Sequence, residues 1–277
     1  MKNTLLITDA DGTLLTDDKT ILECDKAAID EFIKQGGLFT IATGRGVTLA
    51  RTVVEEIGLD LIRLPCVIFN GAAVYDYHKE KFLWQCSLSE SGREYFEKII
   101  QRFPDIGVEI LINDRIYVTN TNAEEEAHLS LGNIDPIRCD YSEVPKSGWI
   151  KVLLVDEPGK IDELVEFAAK NPCDEVHLVR SAPMYFEVLP KGVNKGTGIK
   201  KLIELTDCQL STVNCKLVVA GDYMNDLEMI QAADLGVATG NAEQVVKDAA
   251  NLVVCDNNSG IIKEILHELS RLEKNGV

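Results

Sequence analysis

Between Thr4 and Phe69, short apolar runs alternate with stretches of helical periodicity. Leu5-Leu6-Ile7, Leu38-Phe39-Thr40-Ile41-Ala42 and Cys66-Val67-Ile68-Phe69 are continuous and brief, the pattern of strands buried on both faces. Between the first two, Ala28, Ile29, Phe32 and Ile33 recur at helical spacing, and Gly36-Gly37 supplies a stop. Between the second and third, Val47 to Gly58 repeats the helical pattern. Strand, helix, strand, helix, strand predicts a parallel sheet covered on both faces.

The texture then changes. Leu83 to Ser87 predicts a strand and Glu90 to Phe103 an amphipathic helix. Val108 to Ile112 and Ile116 to Val118 are joined by Asn113-Asp114-Arg115, a hairpin signal that implies antiparallel pairing. Lys151 to Val155, a helix over Lys160 to Lys170, Glu175 to Val179 and Tyr185 to Leu189 complete an α+β segment.

The parallel pattern resumes after it. Lys195-Gly196-Thr197 opens a helix with Ile199, Leu202 and Ile203 on one face. Leu217 to Ala220, Leu235 to Ala238 and Leu252 to Val254 predict buried strands, and Ile261, Ile262, Ile265, Leu266 and Leu269 predict a closing helix. The expected fold class is α/β: a doubly wound parallel sheet formed by residues 1–82 and 189–277, interrupted by an α+β domain at residues 83–188. A chain of 277 residues exceeds the usual size of one core, which agrees with that division.

Charge narrows the partners. Forty-five acidic against 28 basic residues leave a formal net charge of −17, which repels nucleic acid and anionic membranes. A small phosphate is still admissible where a metal ion, a lysine and helix N-termini reverse the field locally. The eight cysteines show no CxxC or zinc-like spacing. No apolar stretch approaches the roughly 20 residues that span a bilayer, and Asp9 arrives before a signal peptide's apolar core could form. A cytoplasmic protein with reduced thiols is expected.

Candidate chemistry collects where the predicted strands end, the edge at which parallel sheets bind ligands. The first strand runs into Asp9-Ala10-Asp11-Gly12-Thr13. Two carboxylates two residues apart repel each other unless a cation lies between them, and hard oxygen ligands suit Mg²⁺; an acidic turn after a core strand is the plainer alternative. The second strand ends in Thr43-Gly44-Arg45, the strand at Leu217 ends in Gly221-Asp222-Tyr223-Met224-Asn225-Asp226, and Lys195 opens a helix.

These four pieces in this order resemble the haloacid-dehalogenase superfamily of phosphatases, and most of all its Cof-type branch, in which a large α+β cap of the C2B kind lies between the second and third motifs. The resemblance spans the whole chain. It implies that Asp9 is a nucleophile forming an aspartyl-phosphate, and that Asp11 is the general acid and base. It implies Mg²⁺ held by Asp9, the Asp11 carbonyl and Asp222, with Asp226 as a further metal-site residue, direct or through water. Phosphate would be bound by the Ala10 amide, the Thr43 hydroxyl, the Gly44 amide, Lys195 and Asn225. Thr43 could serve instead as a helix N-cap. Arg45 could face substrate or solvent.

The expected activity is hydrolysis of a small phosphate monoester, foremost a sugar phosphate. A phosphomutase of the phosphomannomutase type uses a similar motif set. A non-enzymatic phospho-acceptor module is the third reading, although such domains are shorter and lack a cap. His78, His128, His177 and His267 lie outside every motif, and the cysteines are expected to be core or surface thiols.

Overall fold

The computed structural model describes residues 2–131, 134–206 and 215–274; Cys208 lies outside them. The N-terminal half of the core contains β1 (Thr4–Thr8), α1 (Glu23–Lys34), β2 (Leu38–Ile41) and α2 (Val47–Ile57). Three further strands follow: β3 (Cys66–Ile68), β4 (Ala73–Asp76) and β5 (Lys81–Gln85).

The α+β segment begins with α3 (Glu90–Arg102), β6 (Gly107–Ile112), β7 (Arg115–Asn120) and α4 (Ala123–Leu131). It continues with β8 (Ile137–Arg138), β9 (Trp149–Val155), α5 (Pro158–Lys170), β10 (Val176–Ala182) and β11 (Tyr185–Pro190). The core resumes with α6 (Lys195–Leu205), β12 (Lys216–Gly221), α7 (Leu227–Ala232) and β13 (Leu235–Ala238). It closes with α8 (Gln244–Ala249), β14 (Leu252–Val253) and α9 (Ile261–Lys274).

The central sheet has the order β14-β13-β12-β1-β2, and every pair in it is parallel. Alternation along β1 divides the core. Leu6 packs with Ile29, Phe32 and Ile265 from α1 and α9, whereas Leu5 and Ile7 pack with Ile199, Leu202 and Met229 from α6 and α7. A strand apolar at every position is therefore buried on both sides, which explains the unbroken run in its sequence.

One expectation changes. The third apolar run does not continue the parallel sheet as a full member: β3 touches β2 through a single bridge, Ala42 to Val67, and pairs antiparallel with β4. Pairing there is limited because Phe69-Asn70-Gly71 turns the chain back at once, with φ of 52°, 52° and 96°. Gly71 is required at the turn, since a Cβ would fall 2.0 Å from the Asn194 carbonyl oxygen. The strand expected at Leu83 starts at Lys81 and pairs with β4 in this small sheet, so residue 83 lies inside β5. Residue 188 lies inside β11.

The second large sheet has the order β10-β11-β9-β6-β7-β8 and is antiparallel except for β7 with β8. One face, with Ile110, Val152, Leu154 and Val188, packs on Phe96 and Ile99 of α3 and on Ile161 and Leu164 of α5. Leu111, Leu153 and Leu189 have the opposite parity and join the same apolar cluster as Leu6 and Phe39. Glu109, Lys151 and Glu187 alternate with the first set, and all three are buried. No helix among the described residues is long and apolar enough to cross a membrane.

Candidate active site

Parallel pairing of β1 with β12 brings Thr8 beside Ala220, so the residues that follow the two strands emerge side by side. Asp9 continues this alignment, its amide donating to the Ala220 carbonyl at 2.9 Å. Gly12 then turns the chain at φ 76°, where a Cβ would lie 2.4 Å from Asp222 Oδ2. The turn can thus carry the two segments into contact. Thr13 Oγ1 donates to Asp222 Oδ1 at 2.7 Å.

Lys195 reaches the same edge from the first turn of α6. Asn194 caps that helix by accepting from the Thr197 amide at 2.8 Å. The lysine side chain is fully buried, and its Nζ donates to Asp9 Oδ1 at 2.7 Å and Asp226 Oδ1 at 2.6 Å. Desolvation alone would lower its pKa, but Asp226 and Asp9 outweigh that and raise it, so the ammonium is retained.

Asp9, Asp222 and Asp226 each place a carboxylate oxygen within 4.8 Å of the others. Burial pushes the Asp9 carboxyl well above the usual range, with Lys195 opposing and Asp226 and Asp222 reinforcing the rise. Burial, and then Asp226, lift Asp222 to about 7. One buried lysine among three acids leaves excess negative charge, and a divalent cation would offset it. The donor set is all oxygen, which fits a hard ion. Within that set Asp226 is occupied on both oxygens: beyond Lys195, its Oδ2 accepts the amides of Asp222 at 2.9 Å and Tyr223 at 3.1 Å.

Asp11 faces a different environment. Arg45 Nε and Nη2 donate to its two oxygens at 2.7 and 2.8 Å, and Lys19 Nζ adds a third bond at 3.0 Å. Burial would raise its pKa, but Arg45 and then Lys19 bring it down to about 2. Arg45 is therefore not a free surface group: its guanidinium is paired with Asp11.

Thr43 is buried, and its Oγ1 accepts the Arg45 amide at 3.2 Å, leaving the hydroxyl hydrogen available as a donor. Asn225 is buried as well, its Nδ2 donating to Asn70 Oδ1 at 2.9 Å. Ala10 is fully buried and can offer only main chain.

A family model described as haloacid dehalogenase-like hydrolase matches residues 6–265. The chain belongs to that family. It is 27% identical over 276 residues to the assumed phosphatase YxeH of Bacillus subtilis (strain 168), covering 96% of this chain and 97% of that protein. It is 26% identical over 268 residues to 5-amino-6-(5-phospho-D-ribitylamino)uracil phosphatase YcsE of the same organism, covering 95% and 94% of the two chains. In fold it matches the HAD subclass IIB sugar phosphatase BT4131 with a TM-score of 0.81 at 21% identity, over 95% of this chain and 98% of that one. The family match and the curated relatives support a phosphatase of this family, and the likeness to BT4131 shows a shared fold.

The structure of this hydrolase brings Asp9, Lys195, Asp222 and Asp226 into one cluster and sets Asp11 with Arg45 beside it. It also gives partners to Thr13, on Asp222, and to Asn70, a residue expected at this strand-end edge and found behind Asn225. It adds residues that motif reading missed: Lys19 on Asp11, and Lys151 and Glu187 behind Gly44 and Asn70. Lys151 and Glu187 carried a signal, because a charge inside Trp149-Ile150-Lys151-Val152-Leu153 or Phe186-Glu187-Val188 would be buried at a cost that needs a partner. His128, by contrast, is structural, with Nδ1 2.8 Å from the Tyr185 hydroxyl and Nε2 3.2 Å from Glu109.

Proposed function

We propose that this hydrolase releases inorganic phosphate from small phosphate monoesters, sugar phosphates foremost, through an aspartyl-phosphate on Asp9 with Mg²⁺ as cofactor. The observation that carries this reading is the buried carboxylate of Asp9, which ends β1, is held by Lys195 at 2.7 Å and is grouped with Asp222. A buried, positively partnered carboxylate at that edge is positioned to attack phosphorus, whereas a structural ion pair would not need a second and third acid.

In the first step an Asp9 oxygen forms a bond to phosphorus as the bond from phosphorus to the ester oxygen breaks, and Asp11 gives that oxygen its proton. In the second, Asp11 takes a proton from water as the water oxygen attacks phosphorus. The phosphoryl–Asp9 bond then breaks, freeing phosphate and restoring both carboxyls. The Thr43 hydroxyl, the Ala10 and Gly44 amides, Lys195 and Asn225 would hold the phosphoryl oxygens. Asp9, the Asp11 carbonyl and Asp222 would hold the ion, which when bound supplies positive charge to the phosphoryl group. Asp226 would support them through Lys195 and the Asp222 amide, because neither of its oxygens is free. The segment at 83–188 would act as a cap that encloses the ester. A sugar phosphate is favoured because YcsE and BT4131 bear the names of a phosphoribityl-compound phosphatase and a sugar phosphatase.

A panel of phosphate esters assayed for free phosphate, with Mg²⁺ and with chelator, tests this. Phosphate should appear with Mg²⁺ and cease with chelator. Asp9→Asn should reduce kcat by roughly 10³-fold or more, the scale of losing a nucleophile. A phosphate moved within the sugar and not released would favour the phosphomutase reading.

A further inference from the structure

On the sheet face opposite α3 and α5, Glu187 of β11 and Lys151 of β9 meet the catalytic loops directly. Glu187 Oε2 accepts from Asn70 Nδ2 at 2.7 Å, and Asn70 Oδ1 accepts from Asn225 Nδ2 at 2.9 Å. The other Glu187 oxygen accepts from Ser181 Oγ at 2.6 Å. Lys151 Nζ lies 3.2 Å from Glu187 Oε2 and donates to the Gly44 carbonyl at 2.8 Å. The amide of that same Gly44–Arg45 peptide donates to Thr43 Oγ1 at 3.2 Å. Asn70 is packed closely behind it, since a Cβ on Gly44 would lie 3.0 Å from Asn70 Nδ2.

We propose that Glu187 and Lys151 are positioning residues that set two of the phosphoryl-binding groups, Asn225 and the Thr43 hydroxyl, when the inserted sheet is seated on the core. The proposal rests on the phosphatase reading for the roles of those two groups. Its physical basis is the chain of bonds. An amide such as Asn225 can rotate by half a turn at little steric cost, exchanging donor for acceptor. Asn70 fixes its orientation only if Asn70 is itself fixed, and the Glu187 carboxylate, an acceptor alone, can bind only the NH₂ end of Asn70. The orientation is thereby transmitted, leaving the remaining Asn225 N–H to point elsewhere as a donor. Likewise Lys151, a donor alone, pins the 44–45 carbonyl, so the opposite edge of that peptide presents its N–H to Thr43. The Thr43 oxygen thus accepts, and its hydrogen is left for an anion. A buried, charged pair is costly to bury for packing alone, which argues for a role in geometry. Neither side chain is placed on the leaving group by these contacts.

The test compares Glu187→Ala, Glu187→Gln and Lys151→Met with the wild-type enzyme on three esters of different leaving groups. Glu187→Ala should lower kcat by about tenfold or more, the range for groups supporting active-site ligands from behind. The factor should be the same for all three esters, with KM changing less than kcat. Glu187→Gln, which keeps an acceptor for Asn70, should recover part of the loss. In an Asn225→Ala background Glu187→Ala should cost little more, whereas damage to packing would add in full. Hydrogen exchange, which needs no turnover, should quicken at residues 43–46 and 223–226 in Glu187→Ala and stay unchanged in β12. Unchanged kcat and exchange, full additivity with Asn225→Ala, or a loss that differs tenfold among esters would overturn the proposal. If the wild-type enzyme released no phosphate from any ester, the phosphatase reading would fall, while the exchange measurement would still decide whether Glu187 orders these loops.

Discussion

Arg45 grips Asp11 with both arms of its guanidinium, Nε to Oδ2 at 2.7 Å and Nη2 to Oδ1 at 2.8 Å. A bidentate pair of this kind strongly favours the carboxylate. With its pKa brought down to about 2, Asp11 in this arrangement is a base and not an acid. That suits the activation of water in the second step of the proposed mechanism. Protonating a leaving group in the first requires Asp11 to turn away from Arg45, or Arg45 to be drawn off.

Arg45→Met should therefore raise the Asp11 pKa by about 1–3 units, the usual effect of losing an adjacent opposite charge. With a poor leaving group, the pH at which kcat begins to fall should move upward by a similar amount. The sign follows from the role: the acid must hold a proton, so a higher pKa keeps it competent to higher pH. A pH–rate profile decides the matter, and an unmoved limb would show that Arg45 does not govern this proton. The same pair also bears on stability. A depressed folded pKa stabilises above the unfolded value of about 3.9, and that contribution is lost as pH falls toward 2.

The Asp222 carboxyl is displaced the other way, up to about 7, by burial and by Asp226. Between roughly pH 4 and 7 the folded protein then holds a proton that the unfolded chain has released, so without metal its stability from this group falls as pH rises. A bound cation must displace that proton. Mg²⁺ should bind more weakly below pH 7 and release protons on binding, measurable by calorimetry in buffers of different ionisation enthalpy. Metal should raise Tm more at pH 8 than at pH 5, and Asp222→Asn should remove most of that difference. Equal metal effects at both pH values would argue against Asp222 as a ligand.

How legible this site was depends on which interactions are local. The run ending in Asp9, the turn at Gly12, and the capped start of α6 are short-range, and the sequence pattern placed Asp9, Lys195 and Asp222 at one sheet edge. The commitment of Arg45 to Asp11 bridges 34 residues, and that of Glu187 to Asn70 bridges 117. Periodicity cannot encode such pairings, because they depend on how the inserted sheet seats against the core. For the same reason the run at Cys66 to Phe69 is legible as a strand while its expected full place in the parallel sheet is not what forms: membership in a sheet is a tertiary fact, and the tight turn at Asn70 pairs it with β4.

The residues proposed to hold the phosphoryl group and the metal would meet only what all phosphate esters share, so they would not rank one leaving group above another. Discrimination must come from groups that meet the remainder of the substrate, and the inserted segment at 83–188 is the available source. Exchanging it for the corresponding segment of a related phosphatase should change the order of kcat/KM across esters while preserving the need for Mg²⁺ and for Asp9. A folded chimera that ranked esters as the parent does would place specificity in core loops.

Lys195 offers the most direct test of the site's electrostatics. Its ammonium is the shared partner of Asp9 and Asp226, all three being buried. Removing one member of such a group is worse than never having built it, because charges already paid for in desolvation are left without compensation. Lys195→Met keeps much of the apolar stem and the fill of the cavity but deletes the charge, so packing loss is minimised. It should cost about 3–5 kcal/mol of stability at neutral pH. The deficit should shrink as pH falls toward 5, since Asp9, whose pKa is already raised by burial, can then discard its charge by taking a proton. Added Mg²⁺ should recover part of the lost Tm at pH 8, because a cation beside Asp9 and Asp222 replaces some of the missing positive charge. Denaturant unfolding at pH 5 and pH 8, with and without the ion, measures each of these. A loss of stability equal at both pH values and indifferent to Mg²⁺ would mean that Lys195 serves packing, and that the acids of this site do not depend on it for their charge.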